Sequence, residues 1–580
     1  MAEVTASRGD ESVQPAPAGE RVVTLTGVGA SLGMGIGPAV LVGGEVPEPP
    51  DTPFTGDRQA ELARCEDALA AVAADLEDRG RRAGGDAQAV LEAQALMARD
   101  PDLAQEVIRH VNEGRTAARA VHEAFGTYRA LLALAGDYMA ARVADLDDIR
   151  DRVVARLLGV AAPGIPSLTT RSVLVARDLA PADTALLDPL LVAGFVTEEG
   201  GPTSHTAIIA RAMNVPAVVA CAGATSAIRA GVRLLVDGTA GLIQLEPDEA
   251  TVAAAQATMT RRAATMSRSS GPGATADGHR VPLLANVGSA ADTAAALEAG
   301  AEGVGLFRTE FVFLDRTTAP SEDEQVGLYQ AVLVGFSGRK VVARVLDAGA
   351  DKPLAFLGIA AEPNPALGVR GLRALLTAPD VLAAQLRALS AAAAQTGALL
   401  EVMAPMVADA ADAQAFVEAG RAQGLEGPLG VMVEVPSAAL RARSILEHAD
   451  FLSLGTNDLT QYTFAADRQV GSLAAYQNPW HPALLDLVAA AASAGQAAGK
   501  PCGVCGEAAS TPALACVLVG LGVTSLSMSA GALPMVRTAL AAHTLEQCRQ
   551  AAAAARAATS AAEARAAARA SLPALADLGA

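Results

Sequence analysis

The stretch "GVGLFRTE", residues 303–310, decides the fold class. It is a short apolar run that contains glycine and closes with the charged residues Arg308 and Glu310. A run of this length and composition is typical of a buried parallel strand. Charged residues that follow such a strand lie at its carboxyl end, where α/β barrels build their active sites.

The same pattern recurs along the C-terminal half of the chain. Further strand candidates, separated by helical patterns, occupy residues 281–288, 340–349, 401–407, 428–436, 451–459, 500–507 and 525–530. Eight strands alternating with eight helices over roughly 300 residues predict a (β/α)8 TIM barrel. Residues 508–536 carry no formal charge, but proline and glycine interrupt them. We therefore expect a buried helix, a turn and a strand there, and no membrane insertion.

Polar side chains gather at the predicted strand ends and define a candidate site. They are Arg308, Glu310, Arg344, Asp347, Glu434, Asn457, Asp458 and Cys505, with Arg370 and Arg468 in the following segments. Guanidinium groups bind phosphate and carboxylate oxygens in pairs. The carboxylates of Glu434 and Asp458 suit Mg²⁺ that bridges a substrate phosphate. The set predicts metal-assisted phosphoryl or enolate chemistry on a small polyanion, although any single member could instead form a structural salt bridge.

The pattern changes several times before the barrel, which indicates a multidomain α/β protein. The predicted organisation is a flexible tail at 1–21, an α/β domain at 22–56 and 159–250, an inserted helical bundle at 57–158, a linker helix and loop at 251–278, and the barrel at 279–580. Acidic residues outnumber arginines in the helical segment, a balance that an ordinary solvated helix surface also explains.

One histidine stands at the start of a helical pattern in "GGPTSHTAIIARAMNVPAVV", residues 200–219. Gly200 and Gly201 allow close approach of the backbone, and Thr203 or Ser204 can cap a helix that begins near His205. A helix N-terminus collects free N–H groups and favours an anion. The motif predicts a nucleophilic His205 that becomes phosphorylated, and a simple capping histidine is the alternative.

Composition narrows the class of protein. Asp and Glu outnumber Lys and Arg 63 to 44, which gives a formal charge of -19 and argues against nucleic-acid binding. The polar N-terminus lacks the apolar core of a secretory signal. Six scattered cysteines favour a reducing cytoplasm over a disulfide scaffold.

Cys505 follows the seventh predicted strand and forms a CxxC pair with Cys502. A zinc site needs further ligands that the sequence does not supply nearby, and a redox pair would need a thioredoxin-like context. A thiol at a strand end could instead protonate a carbon atom, whereas an inert buried thiol is the common alternative.

Seven long motifs resemble enzyme I of the bacterial phosphoenolpyruvate:sugar phosphotransferase system, from about residue 25 to the C-terminal region. They are "GGPTSHTAIIAR", "GVGLFRTEFVFLDR", "LDAGADKP", "NPALGVRGLR", "GVMVEVPSAA", "SLGTNDLTQYTFAADR" and "CGEAA". The resemblance implies a swivelling phosphohistidine domain with an inserted helical subdomain that binds the phosphocarrier protein HPr. It also implies a barrel that binds phosphoenolpyruvate and Mg²⁺ and forms the homodimer.

The resemblance implies chemical roles as well. His205 would carry the phosphoryl group on Nε2, Cys505 would donate the proton that converts enolpyruvate to pyruvate, and Glu434 and Asp458 would ligate Mg²⁺.

Substrate contacts are implied for a second set of residues. Arg308, Arg344 and Arg468 would hold the phosphate and carboxylate of phosphoenolpyruvate, with Arg370 nearby, and Asn457 and the backbone at Asp458 would also contact it.

The chain departs from the family pattern at two positions, and two alternative functions remain to be considered. Many relatives have arginine where this chain has Pro202, and the mechanism does not need Cys502. A phosphoenolpyruvate synthase or pyruvate phosphate dikinase shares the histidine and barrel motifs, but an ATP-grasp domain precedes the histidine there, and no Gly-rich nucleotide loop is evident here. A phosphorelay regulator without turnover is the second rival, and the intact arginines, carboxylates and Cys505 argue against it.

Overall fold

The structure is a computed structural model. It describes residues 23–42, 46–83, 94–134, 143–160, 163–166, 168–179, 187–201, 204–313, 316, 318–349, 354–360, 362–468 and 470–578. The predicted tail at 1–21 lies outside these residues.

An eight-stranded sheet forms the first α/β unit. Its strands are β1 (Thr24–Thr26), β2 (Val28–Ser31), β3 (Met34–Leu41), β4 (Ser172–Ala176), β5 (Val192–Thr197), β6 (Ala217–Val219), β7 (Arg233–Asp237) and β8 (Leu242–Leu245). The order across the sheet is β1-β8-β7-β3-β4-β5-β6-β2. Strands β3 to β6 pair in parallel, and the remaining pairs are antiparallel.

A helical segment leaves this sheet after β3 and returns to it at β4. Its helices are α1 (Arg58–Ala83), α2 (Pro101–Asn112), α3 (Ala117–Leu134) and α4 (Val143–Leu158). They share a core of their own, in which Leu76, Leu103, Phe125 and Ile149 are buried. Helix α2 begins at a capped end, because the Asp100 side chain accepts hydrogen bonds from the backbone N–H groups of the first turn. Strands β3 and β4 are neighbours in the sheet, with Val40 opposite Leu174.

Three further helices follow β5. Helix α5 (His205–Ala212) and the short α6 (Ala224–Ala227) belong to the first α/β unit. Helix α7 (Glu249–Arg268), which we call the linker helix, leads to the C-terminal region. Asp248 caps the linker helix by accepting a hydrogen bond from the N–H of Thr251 at 2.7 Å.

The C-terminal region closes into the predicted barrel. Its strands are β9 (Leu283–Val287), β10 (Val304–Arg308), β11 (Lys340–Arg344), β12 (Leu399–Ala404), β13 (Leu429–Val433), β14 (Leu452–Leu454), β15 (Cys502–Val504) and β16 (Ser525–Met528). All neighbouring strands are parallel, and β16 pairs with β9 to close the barrel. The prediction of eight parallel strands is confirmed, and the runs are apolar because helices cover the outside while side chains fill the inside.

More helices surround the barrel than the eight predicted. They are α8 (Ala290–Glu298), α9 (Glu322–Leu333), α10 (Leu372–Thr377), α11 (Pro379–Thr396), α12 (Ala410–Ala422), α13 (Pro436–Leu440), α14 (Ala442–Ile445), α15 (Thr456–Phe464), α16 (Pro482–Ala498), α17 (Pro512–Gly520), α18 (Leu533–Ala541), α19 (Leu545–Arg556), α20 (Ala561–Ala570) and α21 (Ala574–Leu578). The uncharged stretch 508–536 contains buried α17 and β16, as predicted. Within the described part of the chain, no helix combines the length and apolarity needed to cross a membrane.

The prediction from sequence misplaces the carboxyl end of one barrel strand, β14. Strand β14 covers only Leu452–Leu454, and helix α15 begins at Thr456, so Asn457 and Asp458 lie in the first turn of a helix rather than on the strand. An aspartate in a first turn is favoured by the helix dipole, which the apolar run alone does not reveal.

The barrel interior below this turn is filled by a small cluster that includes Leu306, Met403, Met432 and Phe451.

Candidate active site

A cavity of about 350 Å³ opens at the carboxyl end of the barrel. The predicted site residues that line it are Arg308, Glu310, Arg344, Asp347, Glu434, Asn457, Asp458, Arg468 and Cys505. They come from the ends of five strands and the segments that follow them, which meet because the strands are parallel. The structure therefore brings together all the predicted barrel residues except Arg370 in one cavity wall.

Arg344 lies at the centre of the charged wall. Its Nη2 is 2.8 Å from Glu310 Oε1, and its Nη1 is 3.4 Å from Asp347 Oδ2 and 4.0 Å from Glu434 Oε1. Burial alone would lower the pKa of Arg344, but the three carboxylates raise it above its ordinary value. The guanidinium therefore stays charged and is held in place before any substrate binds.

Arg370 is placed behind the wall. Its side chain is buried, and it forms a bidentate pair with Asp347, with Nε 3.1 Å from Oδ1 and Nη2 3.0 Å from Oδ2. Its Nη1 donates to Asp458 Oδ1 at 3.2 Å. In this structure Arg370 orients two cavity carboxylates, and its predicted contact with substrate stays a prediction.

The first turn of α15 supplies the opposite side of the cavity. Arg468 Nη2 lies 3.8 Å from Asp458 Oδ1, and the backbone N–H of Arg468 donates to Gln461 Oε1 at 3.1 Å. Asn457 Oδ1 accepts a hydrogen bond from the N–H of Glu507 at 3.2 Å. Asn457 thus connects the first turn of α15 to the loop that contains Cys505 and Glu507. The hydrogen bond at its Oδ1 also fixes the orientation of its side-chain amide.

Glu434 is a cavity carboxyl group whose pKa is shifted upwards. Burial raises its pKa to about 7, and repulsion from Asp458 and Asp347 adds to the effect. Its Oε2 accepts a hydrogen bond from the Met406 N–H at 2.8 Å, and Met406 adopts a left-handed backbone conformation with φ 58°. A residue held in that region at a strand end is a strained feature of the kind found at functional sites.

The donor set of Glu434 and Asp458 fits Mg²⁺. Two buried carboxylates that repel each other would be relieved by a divalent cation between them. Among the described residues, no group of three or more His, Cys, Asp or Glu side chains could hold a metal ion. A magnesium ion here would therefore take its other ligands from water or substrate, as is usual for this ion.

Cys505 lies at the inner end of the cavity. Ser453 Oγ donates to its sulfur at 3.1 Å, and burial raises the pKa of the Cys505 thiol to about 11. The thiol therefore carries its proton at neutral pH. Cys502 belongs to the core outside the barrel, whereas Cys505 belongs to the cluster inside it, and both are free thiols. The two sulfurs do not form the redox pair that the CxxC spacing allowed.

Helix α5 begins at His205, as predicted. Ser204 is its N-cap, with Oγ accepting a hydrogen bond from the Ala207 N–H at 3.4 Å. The backbone at His205 is thus at the N-terminal end of the helix, where free N–H groups favour an anion. Pro202, Thr203 and the side chain of His205 lie outside the described part of the structure.

Two site residues were missed by sequence reasoning. Arg211, on the same helix as His205, reaches the barrel cavity, and its Nε lies 3.1 Å from Glu507 Oε2. Its Nη1 donates to the Ala30 carbonyl at 2.8 Å. Both residues stand inside quoted motifs, but only the folded chain shows that they meet. This ion pair joins the α/β unit to the loop after Cys505.

Comparisons with known proteins agree with this arrangement. The model for the N-terminal domain of PEP-utilising enzymes matches residues 26–142, that for their mobile domain matches 168–241, and that for their PEP-binding domain matches 262–545. A parallel barrel with an anion cavity, joined to a mobile domain that carries a histidine helix, thus defines a PEP-utilising enzyme.

Similar proteins identify the family to which the chain belongs within this class of enzymes. The chain is 62% identical to the phosphoenolpyruvate-protein phosphotransferase of Streptomyces coelicolor, over 92% of this chain and 96% of that one. Proteins of the same name from Haloferax volcanii and Bacillus subtilis are 40% and 36% identical, each over 89% of this chain and over 94% and 93% of their own length. The chain belongs to the phosphoenolpyruvate-protein phosphotransferase family, which confirms the resemblance to enzyme I.

Proposed function

We propose that this enzyme transfers the phosphoryl group of phosphoenolpyruvate to His205, releases pyruvate, and passes the phosphoryl group to a histidine of HPr. The observation that carries the proposal is the contact between Arg211 and Glu507, 3.1 Å apart, which brings the His205 helix to the arginine-lined barrel cavity. The nucleophile and the substrate site come from different parts of the chain. The reaction therefore requires that these two parts come close together.

The cavity is built for a small molecule with phosphate and carboxylate groups. Arg308, Arg344 and Arg468 line it and would bind these groups as bidentate partners. Arg370 would act through Asp347 and Asp458, whose orientation it fixes. Because Glu310 and Asp347 hold Arg344 in place before binding, its guanidinium would stabilise the charge of the transferring phosphoryl group without rearrangement.

Glu434 and Asp458 would hold Mg²⁺, which would supply positive charge against the oxygens of the transferring phosphoryl group. The raised pKa of Glu434 and its repulsion from Asp458 support this role, since a cation offsets both. The Met406 N–H holds one oxygen of Glu434 and leaves the other directed towards the cavity side occupied by Arg344.

Cys505 would complete the carbon chemistry. When the bond between phosphorus and the enol oxygen breaks, the electron pair stays on that oxygen and enolpyruvate forms. The thiol would give its proton to C3, the C=O bond of pyruvate would form, and the thiolate would recover a proton from solvent. A pKa of about 11 keeps the thiol protonated, and its hydrogen bond from Ser453 fixes the sulfur.

The remaining partners are proposals of the same kind. The helical segment 57–158 would dock HPr, since its described helices have a separate core and carry none of the barrel-site residues. The barrel would form the homodimer. All six cysteines are free, which supports work in the reducing cytoplasm.

Labelled phosphoenolpyruvate tests the proposed function. Incubation of the chain with the label and Mg²⁺, followed by peptide mapping, should place the phosphoryl group on His205. Addition of HPr should then remove it, and one pyruvate should appear for each phosphoryl group without any nucleotide. His205→Ala should lose stable label while phosphoenolpyruvate still binds, because the arginines that would bind it lie in the barrel. Label retained elsewhere in this variant, or a need for ATP, contradicts the assignment.

A further inference from the structure

A second cavity, of about 510 Å³, lies where the α/β unit, the linker helix and the C-terminal helices meet. We call it the junction cavity. Four of its lining residues are arginines and one is an acid: Arg171, Arg262, Arg565, Arg569 and Asp237. It shares no lining residue with the barrel cavity. Four guanidinium groups thus lie around one open cavity in a chain with a formal charge of -19.

The carboxylate among the described lining residues, that of Asp237, already accepts hydrogen bonds. Asp237 Oδ1 accepts hydrogen bonds from the backbone N–H groups of Thr239 and Ala240, both at 2.9 Å, in the turn between β7 and β8. A carboxylate that caps its own turn offsets only part of the surrounding positive charge. Among the described lining residues of the junction cavity, guanidinium groups therefore outnumber carboxylates.

Burial destabilises the charged form of two of these arginines, Arg262 and Arg565. Burial lowers the pKa of Arg262 below its ordinary value, and attraction to Asp237 compensates only partly. Burial also lowers the pKa of Arg565, and the like charge of Arg569 lowers it further. Cations that are desolvated and repel one another gain free energy when an anion binds between them.

Contacts with the backbone place two of the guanidinium groups at the cavity wall. Arg565 Nη2 donates to the Thr239 carbonyl at 2.7 Å, which fixes its side chain at the cavity wall. Gly33, with φ 115°, brings the turn before β3 close to Arg262, and a Cβ built there would lie 3.7 Å from Arg262 Cζ. Two arginines from different helices thus lie beside turns at the same end of the sheet strands.

We propose that the junction cavity is a binding site for a small phosphorylated metabolite with at least two negative charges. Guanidinium forks match phosphate oxygens, and several of them around one space favour a polyanion over a single charge. The ligand would contact two turns of the sheet, the linker helix and α20 together. It would stabilise the arrangement in which helix α5 meets the barrel. This site shares no described lining residue with the cavity of the proposed reaction.

Inorganic pyrophosphate is a suitable probe, titrated calorimetrically into the full chain without Mg²⁺. Arg308→Ala serves as the background that weakens anion binding in the barrel cavity. In that background, pyrophosphate should still bind with one site for each chain, and tighter than orthophosphate. Arg262→Gln should weaken binding about tenfold or more, because a charge-assisted hydrogen bond is lost.

Arg171→Gln is the second variant, since Arg171 is exposed and its substitution should leave folding unchanged. It should weaken binding a few-fold, and pyrophosphate should raise the melting temperature of the Arg308→Ala chain more than that of either double variant. If pyrophosphate binding disappears with Arg308→Ala, or if neither Arg262→Gln nor Arg171→Gln changes it, the junction cavity is not an anion site. Equal affinities for pyrophosphate and orthophosphate also overturn the proposal.

Discussion

Arg211 Nε lies 3.1 Å from Glu507 Oε2, and this ion pair connects the helix that starts at His205 with the loop that follows Cys505. The nucleophile and the proton donor that we propose are thus mechanically linked through two neighbouring charged residues. Each side chain is less than one quarter exposed, so the pair is shielded from solvent more than a surface salt bridge.

Removal of this pair should slow phosphorylation of His205. We expect Arg211→Ala and Glu507→Ala each to reduce the single-turnover rate with phosphoenolpyruvate by about tenfold, and the double variant to be little worse than either. The coupling energy should be about 1–3 kcal/mol, as for partners in one charged network. Rapid-quench measurements on the four proteins give this value directly. Strictly additive losses would show that the two residues act separately.

Loss of either predicted magnesium ligand should remove Mg²⁺-dependent turnover. Glu434→Ala and Asp458→Ala should lower kcat/KM by at least about 10²-fold, because the metal contributes several kcal/mol of charge stabilisation. Pyruvate release measured against Mg²⁺ concentration tests this expectation.

Two further variants separate metal binding from packing. Glu434→Gln keeps an acceptor for the Met406 N–H, so it should fold like the parent and still fail with Mg²⁺. Glu401→Ala removes a carboxylate that pairs with Lys340 at 2.7 Å, away from the cavity lining, and should retain activity. Normal turnover at ordinary Mg²⁺ in both Glu434→Gln and Asp458→Ala would refute the ligand assignment.

Deletion of the helical segment 57–158 should separate the two halves of the reaction. Joining the flanking strands should spare phosphorylation by phosphoenolpyruvate far more than transfer to HPr, because the described helices contribute no residue to the barrel cavity. Circular dichroism establishes that the shortened chain is folded. A folded deletion that phosphorylates HPr at the parental rate would place the docking surface elsewhere.

Cys505→Ala should bind phosphoenolpyruvate but turn over about 10²–10⁴-fold more slowly, the usual contribution of a general acid. The thiol pKa of about 11 gives the expected pH dependence. A donor must be protonated, so proton donation by the parent should not decline between pH 7 and pH 9. In deuterated water the parent should label one face of C3, and the variant should lose that selectivity.

Cys502→Ala is the matched control for Cys505→Ala. It removes a buried thiol of β15, the strand that Cys505 follows, from the core outside the barrel, and burial raises the pKa of this thiol to about 12. This variant should keep facial selectivity and most of its activity. Equal failure of both cysteine variants, or full selectivity in Cys505→Ala, would exclude the proton-donor role.

Sequence reasoning predicted the barrel because its strands are buried on both faces and therefore appear as continuous apolar runs. It also predicted most cavity residues, since parallel strands bring their carboxyl ends together without any knowledge of side-chain contacts. It misplaced Asn457 and Asp458 because "SLGTNDL" contains no local signal that separates a strand end from the first turn of a helix.

Other features depend on contacts that no local pattern encodes. Arg370 resembles the other arginines in sequence, but it lies behind the cavity wall because Asp347 and Asp458 converge on it from separate segments. The approach of Arg211 to Glu507 depends on how two domains pack against each other. Neither amphipathic periodicity nor strand spacing contains that information.

The neighbouring positions of β3 and β4 bear on how this enzyme can diversify. Leu41 and Val175 lie opposite each other in the parallel pair formed by β3 and β4. All the residues between these two strands therefore form a single crossover connection of the sheet. The entropy of closing a crossover rises only with the logarithm of its length. A helical module of another size or surface could therefore be exchanged in evolution at small cost to the sheet. With the docking role that we propose for this segment, the choice of protein partner would change in this way while the barrel residues are inherited intact.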